Sequence, residues 1–138
     1  MQADKAVFDT NIYLSAILSG KLPKIIQFAA DCQILIYTCP ELFDEIERNL
    51  KDDFFKSKIN QPPAEIIDLI KDFTVEIEIV QRFDRSADMK DNFLFDLAYS
   101  AKSYYLITHE RALQNMKHVG EIQIVSPHYF FRLFDKKW

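Results

Sequence analysis

Several residue types are scarce in this chain, and each scarcity narrows what it can be. There are two glycines in 138 residues. No Gly/Ser-rich linker, internal repeat or low-complexity tract separates one part from another, so the sequence predicts a single compact domain over 1–138. The two cysteines, Cys32 and Cys39, form no CxxC pair. The three histidines, His109, His118 and His128, show no HxxxH or comparable spacing. A zinc pattern is therefore lacking, and a reduced cytoplasmic protein is the simplest reading. No stretch approaches the ~20 apolar residues that cross a bilayer. A strand begins almost at the first residue and leaves no room for a signal peptide, so a soluble protein that is not exported is expected. A basic excess is missing too: 17 Lys and Arg face 21 Asp and Glu, for a net charge of −4. That argues against a module that holds nucleic acid chiefly by neutralising phosphates. Nucleic acid itself stays open, because acids gathered around divalent cations reverse the local field.

What is present is apolar bulk, 49% of the chain with twelve phenylalanines and six tyrosines, enough for a sizeable core. Short apolar runs that read as strands, Lys5 to Asp9, Ile34 to Tyr37, Tyr104 to Thr108 and Ile122 to Val125, alternate with helical patterns. A further run, Thr74 to Val80, alternates Val75, Ile77 and Ile79 with Glu76 and Glu78, as an edge strand or a half-covered one does. Helices are predicted over Asn11 to Ser19 (stopped by Gly20), from Pro23, over Glu41 to Lys51 behind Pro40, over Asp52 to Lys58, from Pro62 and Pro63 to Phe73, over Asn92 to Ser103, and from Pro127. This alternation predicts an α/β domain of three layers with a mostly parallel sheet of about five strands. The aromatic stripe Phe130, Phe131, Leu133 and Phe134 reads as core.

The chemistry is centred on Val7 to Asn11, where a buried strand ends on Asp9 and turns into a helix. In open α/β sheets ligands sit beyond the carboxyl ends of the strands. Thr108, His109 and Glu110 end another strand in the same way. On the third helix Glu45 lies about 115° to one side of the apolar stripe and Glu47 about 85° to the other, so helix geometry alone does not choose between them. Asp91 falls at one margin of the next helix, where capping and metal binding are compatible roles. Asp96, about 140° away around the helix, reads as a surface residue and Asp88 as a cap. Carboxylates crowded without counter-charge would take up protons unless cations held them ionised. Oxygen ligands without Cys or His select Mg²⁺ or Mn²⁺, the ions suited to phosphodiester cleavage.

Val7 to Asn11 as strand then Asp, Thr, Asn, a later helix carrying Glu45, Ile46 and Leu50, then Asp91, Asn92 and a helix, then an apolar strand ending in Thr108 near an acid, resemble in order the PIN domain, particularly its toxin-like bacterial and archaeal branch. The resemblance runs nearly the length of the chain. It implies a three-layer α/β/α ribonuclease dependent on Mg²⁺ or Mn²⁺, with an RNA substrate, a small antitoxin protein as partner, a homodimer, and no membrane. On this match Asp9, Glu45 and Asp91 are catalytic acids that bind metal, Asn11 steadies the site and Thr108 is the small hydroxyl residue of the fourth motif. The match selects Glu45 over Glu47. The fourth motif departs from the family pattern: His109 stands in the place of Gly, Glu110 in the place of the first Asp as the remaining catalytic acid, and Ala112 in the place of the second.

Two rival readings are each disfavoured by a single residue. A receiver-type phosphoacceptor needs an Asp after a middle strand, where this chain has Thr38, Cys39 and Pro40. A haloacid-dehalogenase phosphatase needs an acid at Asn11. A structure-selective DNA nuclease with a PIN-like core carries added helical segments. The altered fourth motif keeps in view a PIN-like module that only binds RNA or protein. Phe54, Phe55 and Trp138 are candidate interface aromatics.

Overall fold

The computed structural model describes residues 4–80 and 92–138; Asp84, Asp88 and Asp91 lie outside the described residues. Within them β1 (Asp4–Phe8), β2 (Ile34–Thr38), β3 (Val75–Glu76), β4 (Tyr105–Ile107), β5 (His118–Val119) and β6 (Ile122–Val125) form one sheet in the order β3-β2-β1-β4-β6-β5. All neighbours are parallel except β5, which runs antiparallel to β6. The sheet is thus mostly parallel, as expected, but has six strands among the described residues rather than about five.

The chain moves from β1 outward through β2 to β3, then returns to the far side of β1 with β4 and β6. Right-handed crossovers put the helices of the first excursion on one face of such a sheet and those of the return on the other. The first set is α1 (Thr10–Ser19), α2 (Leu22–Cys32), α3 (Pro40–Leu50), α4 (Asp53–Lys58) and α5 (Pro63–Phe73). On the return, α6 (Asn92–Ala101) packs along β1, β2, β4 and β6. The short α7 (Arg111–Asn115) follows, and the closing α8 (Pro127–Arg132) comes back to the face of α2, where it packs on Phe28.

Local chemistry sets the boundaries. Gly20 ends α1 in the left-handed conformation, φ 72°, which costs glycine nothing and a β-carbon something. Pro starts α2, α3, α5 and α8 within their first two residues, where a missing N–H is no loss. The stripe Leu42, Phe43, Ile46 and Leu50 of α3 is buried. Phe130 and Phe131 of α8 are fully buried, at about 1.5–3 kcal/mol each of apolar transfer. Phe130 meets Phe8 of β1 edge-on at 6.2 Å, and Phe131 stacks on Phe28 of α2 at 3.8 Å. The closing helix is core, as its stripe implies, although Leu133 lies outside it and is exposed.

Other departures have simple causes. The strand expected over Thr74 to Val80 pairs only at Val75 and Glu76, with one further bond from the Ile77 amide to the Thr38 carbonyl at 2.8 Å. Its neighbour β2 ends at Thr38 and turns through Cys39 and Pro40 into α3, so nothing remains for residues 78–80 to pair with. The helix expected to reach Ser103 stops at Ala101; Lys102 takes a left-handed φ of 56°, and the Ser103 hydroxyl donates to the Lys5 and Tyr105 carbonyls. Neither α7 nor β5 was expected, since five and two residues are too short to show a period. Phe55 is buried and Trp138 half-buried, so of the three interface candidates Phe54 alone is well exposed.

Candidate functional site at the carboxyl edge

β1 lies in the middle of the sheet with β2 on one side and β4 on the other, and the chain reverses its direction of progress there. A crevice opens at such a switch point, outside the carboxyl ends of the two strands. Phe8 pairs with Ile107, so the next residue of each strand, Asp9 and Thr108, leaves the sheet side by side. The Asp9 amide still bonds to the Ile107 carbonyl at 2.8 Å and the Thr108 amide to the Val125 carbonyl at 3.0 Å. The backbone of the site is therefore an extension of the ladder and shares its rigidity.

Asp9 is 2% exposed and Thr108 fully buried. The Thr108 hydroxyl donates to Asp9 Oδ2 at 2.7 Å and accepts from the Glu110 amide at 3.0 Å. Gln114 of α7 fixes the same residue from behind, its Nε2 donating to the Thr108 carbonyl at 2.7 Å. Asp9 is also the N-cap of α1, with the Asn11 amide reaching Oδ1 at a long 3.4 Å. A carboxylate at a helix start is favoured by the unsatisfied amides and the positive end of the helix. Burial nevertheless wins: it raises the Asp9 pKa above the ordinary carboxylate value, the nearby Glu110 charge adds to the rise, and the bonds from Thr108 and Asn11 only partly oppose it. Among the described residues no cation forms an ion pair with Asp9. A buried acid in this condition is poised to accept a cation.

The other expected site residues are placed as follows. Glu110 caps the start of α7, is exposed, and is close enough to Asp9 for its charge to be felt there. Asn11 is exposed in the first turn of α1, and the contact it makes with Asp9 is through its backbone amide. Glu45 is half-buried on α3, the helix that packs against α1. Glu47 points outward and binds Lys51 one turn on at 2.8 Å, an arrangement typical of a solvated helix surface. Asp96 is corrected: it is 3% exposed, not a surface residue. It lies within the run Leu94 to Ala98, every residue of which is buried, so its offset of about 140° from Asp91 on a helical wheel did not put it in water. Among the described residues no three His, Cys, Asp or Glu side chains are grouped to hold a metal. Asp91 lies outside that set. The donors that are described nevertheless suit a hard divalent ion: a buried carboxylate with the Thr108 hydroxyl against it and the Glu110 carboxylate near enough to be felt.

Gln114 and the buried Thr38 at the end of β2 were not singled out in the sequence. Thr38 Oγ1 lies 3.3 Å from Thr74 Oγ1. Gln114 follows Thr108 by six residues through a helix too short to announce itself, so no pattern marks it.

An open, mostly parallel α/β sheet with a buried carboxylate at its switch point defines a broad class of ligand-binding and hydrolytic domains. The sequence profile of the PIN domain matches residues 5–112, and the chain belongs to that family, whose members are generally nucleases. Among solved structures, the VapBC2 complex of Rickettsia felis bound to a DNA fragment from its promoter contains a chain with the same fold. The two align with a TM-score of 0.60 and 12% identity, over 88% of this chain and 98% of that one. No curated protein matches the sequence significantly. None of the described helices is long and apolar enough to cross a membrane.

Proposed function

We propose that this protein is a divalent-metal-dependent ribonuclease, a single domain over 1–138 that acts as the toxin component of a toxin–antitoxin pair in the cytoplasm. The observation that carries the reading is Asp9: a buried carboxylate at the sheet's switch point, held by Thr108, in a chain of the PIN family. In this reading Asp9, Glu45 and Asp91 would hold Mg²⁺ or Mn²⁺. When bound, such an ion polarises a phosphoryl oxygen and generates hydroxide from water. The residues of the chain set the stage for that chemistry. Thr108 fixes the orientation of Asp9 by a short charged hydrogen bond, and Glu110, tied to Thr108 through its amide, holds a second negative charge at the rim. Asn11 contributes the amide that turns the chain around Asp9. A small antitoxin covering the acidic groove and a homodimer belong to the same reading.

A second reading, an RNA- or protein-binding module without catalysis, is favoured by one observation. Ala112, exposed on α7, offers no carboxylate where the family pattern has its last acid. Cleavage of a mixed panel of structured and single-stranded RNAs, in Mn²⁺, Mg²⁺ or EDTA, separates the two. Metal-dependent cutting lost in Asp9→Asn and Asp91→Asn is the expected result. No cutting by the wild type, together with no Mn²⁺ binding, would leave the binding module in its place.

A further inference from the structure

Beside the acidic crevice lies a small cationic and aromatic surface for which the candidate metal site has no use. The Trp138 ring is footed on the core: it meets Phe131 edge-on at 5.0 Å, and Phe131 in turn stacks on Phe28. Over Trp138 lies Lys21 from the turn between α1 and α2, its Nζ 4.8 Å from the ring centre. On the same ring rests His109, 6.2 Å away and tilted by 55°. His109 directly follows Thr108, so this surface begins one residue from the partner of Asp9. His109 is exposed, and Lys21 and Trp138 are half-buried. Partial burial first, and then the charges of His128 and Lys21, lower the His109 pKa, which places three basic side chains close together. Among the described residues Lys21 forms no ion pair.

We propose that Lys21, His109 and Trp138 form the platform that binds the nucleotide next to the scissile phosphate of a single-stranded RNA. Lys21 takes the phosphate, and the His109 ring, propped by Trp138, takes the unpaired base. Single-strand sites combine cations that follow the backbone with flat rings on which bases stack, a preference that base pairing would frustrate. In a chain of net charge −4 such a patch supplies the local attraction that the acids withhold. His109 stands where the family pattern has Gly, so the same residue that alters the fourth motif adds a ring to the rim. An acidic peptide would match Lys21 and His128 but has nothing to place on an exposed imidazole beside a half-buried indole, so nucleic acid is the better fit.

The inference rests on the nuclease reading, and its test runs without turnover. Trp138 is the single tryptophan of the chain, so tryptophan emission, excited at the red edge where tyrosine does not absorb, reports on this surface. The full-length protein is titrated in EDTA with an oligoribonucleotide of about eight mixed bases and, separately, with a glutamate-rich peptide. Binding is measured in parallel by anisotropy of the labelled RNA, with melting curves to confirm folding. The RNA should change the Trp138 emission, and His109→Ala and Lys21→Gln should each weaken binding about tenfold, the size of one lost stacking or phosphate contact. Trp138→Phe, which keeps an aromatic foot, should weaken it less than His109→Ala. RNA binding at wild-type strength in both His109→Ala and Lys21→Gln, or a response to the peptide and none to RNA, overturns the platform. RNA binding that depends on these residues without any cleavage in Mn²⁺ keeps the platform and sinks the nuclease; metal-dependent cleavage with unaltered binding in the variants does the reverse.

Discussion

The Thr108 hydroxyl stands 2.7 Å from Asp9 Oδ2, across the gap where β1 and β4 end together. Ninety-nine residues separate the two in sequence, and the parallel register alone makes them neighbours. The same hydroxyl accepts the Glu110 amide, so one oxygen organises both acids of this half of the site. Thr108→Val, of nearly equal shape, removes both bonds and leaves the buried Asp9 carboxylate and the Glu110 amide each one partner short. The expected cost is about 1–3 kcal/mol of stability and on the order of 100-fold in cleavage rate through misplacement of Asp9. Thr108→Ser should stay close to wild type in both. Chemical denaturation with cleavage assays on the two variants decides it, and equal rates for Val and Ser would remove the hydroxyl from the argument.

Asp9 makes stability depend on pH in an unusual direction. Burial raises its pKa above the value in the unfolded chain. The folded state therefore holds the proton more tightly, and stability falls as pH rises from the ordinary carboxylate range through the raised value, then levels off. Asp9→Asn has no charge to desolvate, so it should melt higher than wild type at neutral pH, with the difference vanishing in acid. Mn²⁺ at saturating concentration should raise the wild-type melting temperature at neutral pH and leave Asp9→Asn unmoved. A wild type that gains stability steadily from acid to neutral pH relative to Asp9→Asn would contradict the burial argument.

Glu110 contributes to that raised pKa through its charge. Glu110→Gln removes the charge and keeps the shape, so Asp9 should ionise at lower pH. The acidic limb of the pH–rate profile should then move to lower pH, whatever happens to the maximal rate. Glu110→Asp keeps the charge and should leave the limb nearly in place. Profiles of single-turnover cleavage for the three proteins provide the comparison. An unmoved limb in Glu110→Gln would mean that the two carboxylates do not sense one another in solution.

How much of this was readable beforehand differs from residue to residue. Asp9 stood out because a buried strand ending on an acid is a local pattern, and the topology then put it at the switch point. Thr108 was visible for the same reason, but its bond to Asp9 depends on the register of two strands, which no local pattern encodes. Asp96 was misjudged because a helical wheel takes an acid off the apolar stripe to be wet, whereas every residue of α6 from Leu94 to Ala98 is buried. Gln114 was missed because its helix has five residues, fewer than two turns. The edge run Thr74 to Val80 carried a good period of two, and only the length of its neighbour β2 decided how much of it could pair.

Helix geometry left Glu45 and Glu47 equal, and the structure gives them different surroundings. Glu47 binds Lys51 at 2.8 Å with 48% of its side chain exposed, and that contact, followed by the Lys51 charge, lowers its pKa. Such a pair is screened by water and salt and adds little. Glu45, one turn after Glu41 on α3, is half-buried on the helix that packs against α1, the helix that Asp9 starts. Glu47→Gln should therefore leave both the melting temperature and cleavage near wild type, with any small change abolished by added salt. Glu45→Gln should keep the fold and lower cleavage by on the order of 100-fold, as expected for a displaced group at the reacting centre. It should also weaken the thermal stabilisation by Mn²⁺, a readout that a purely structural glutamate would not move. If Glu47→Gln lost activity while Glu45→Gln kept it, the assignment of the second acid would be reversed, and the reacting centre would have to lie on the outer side of α3.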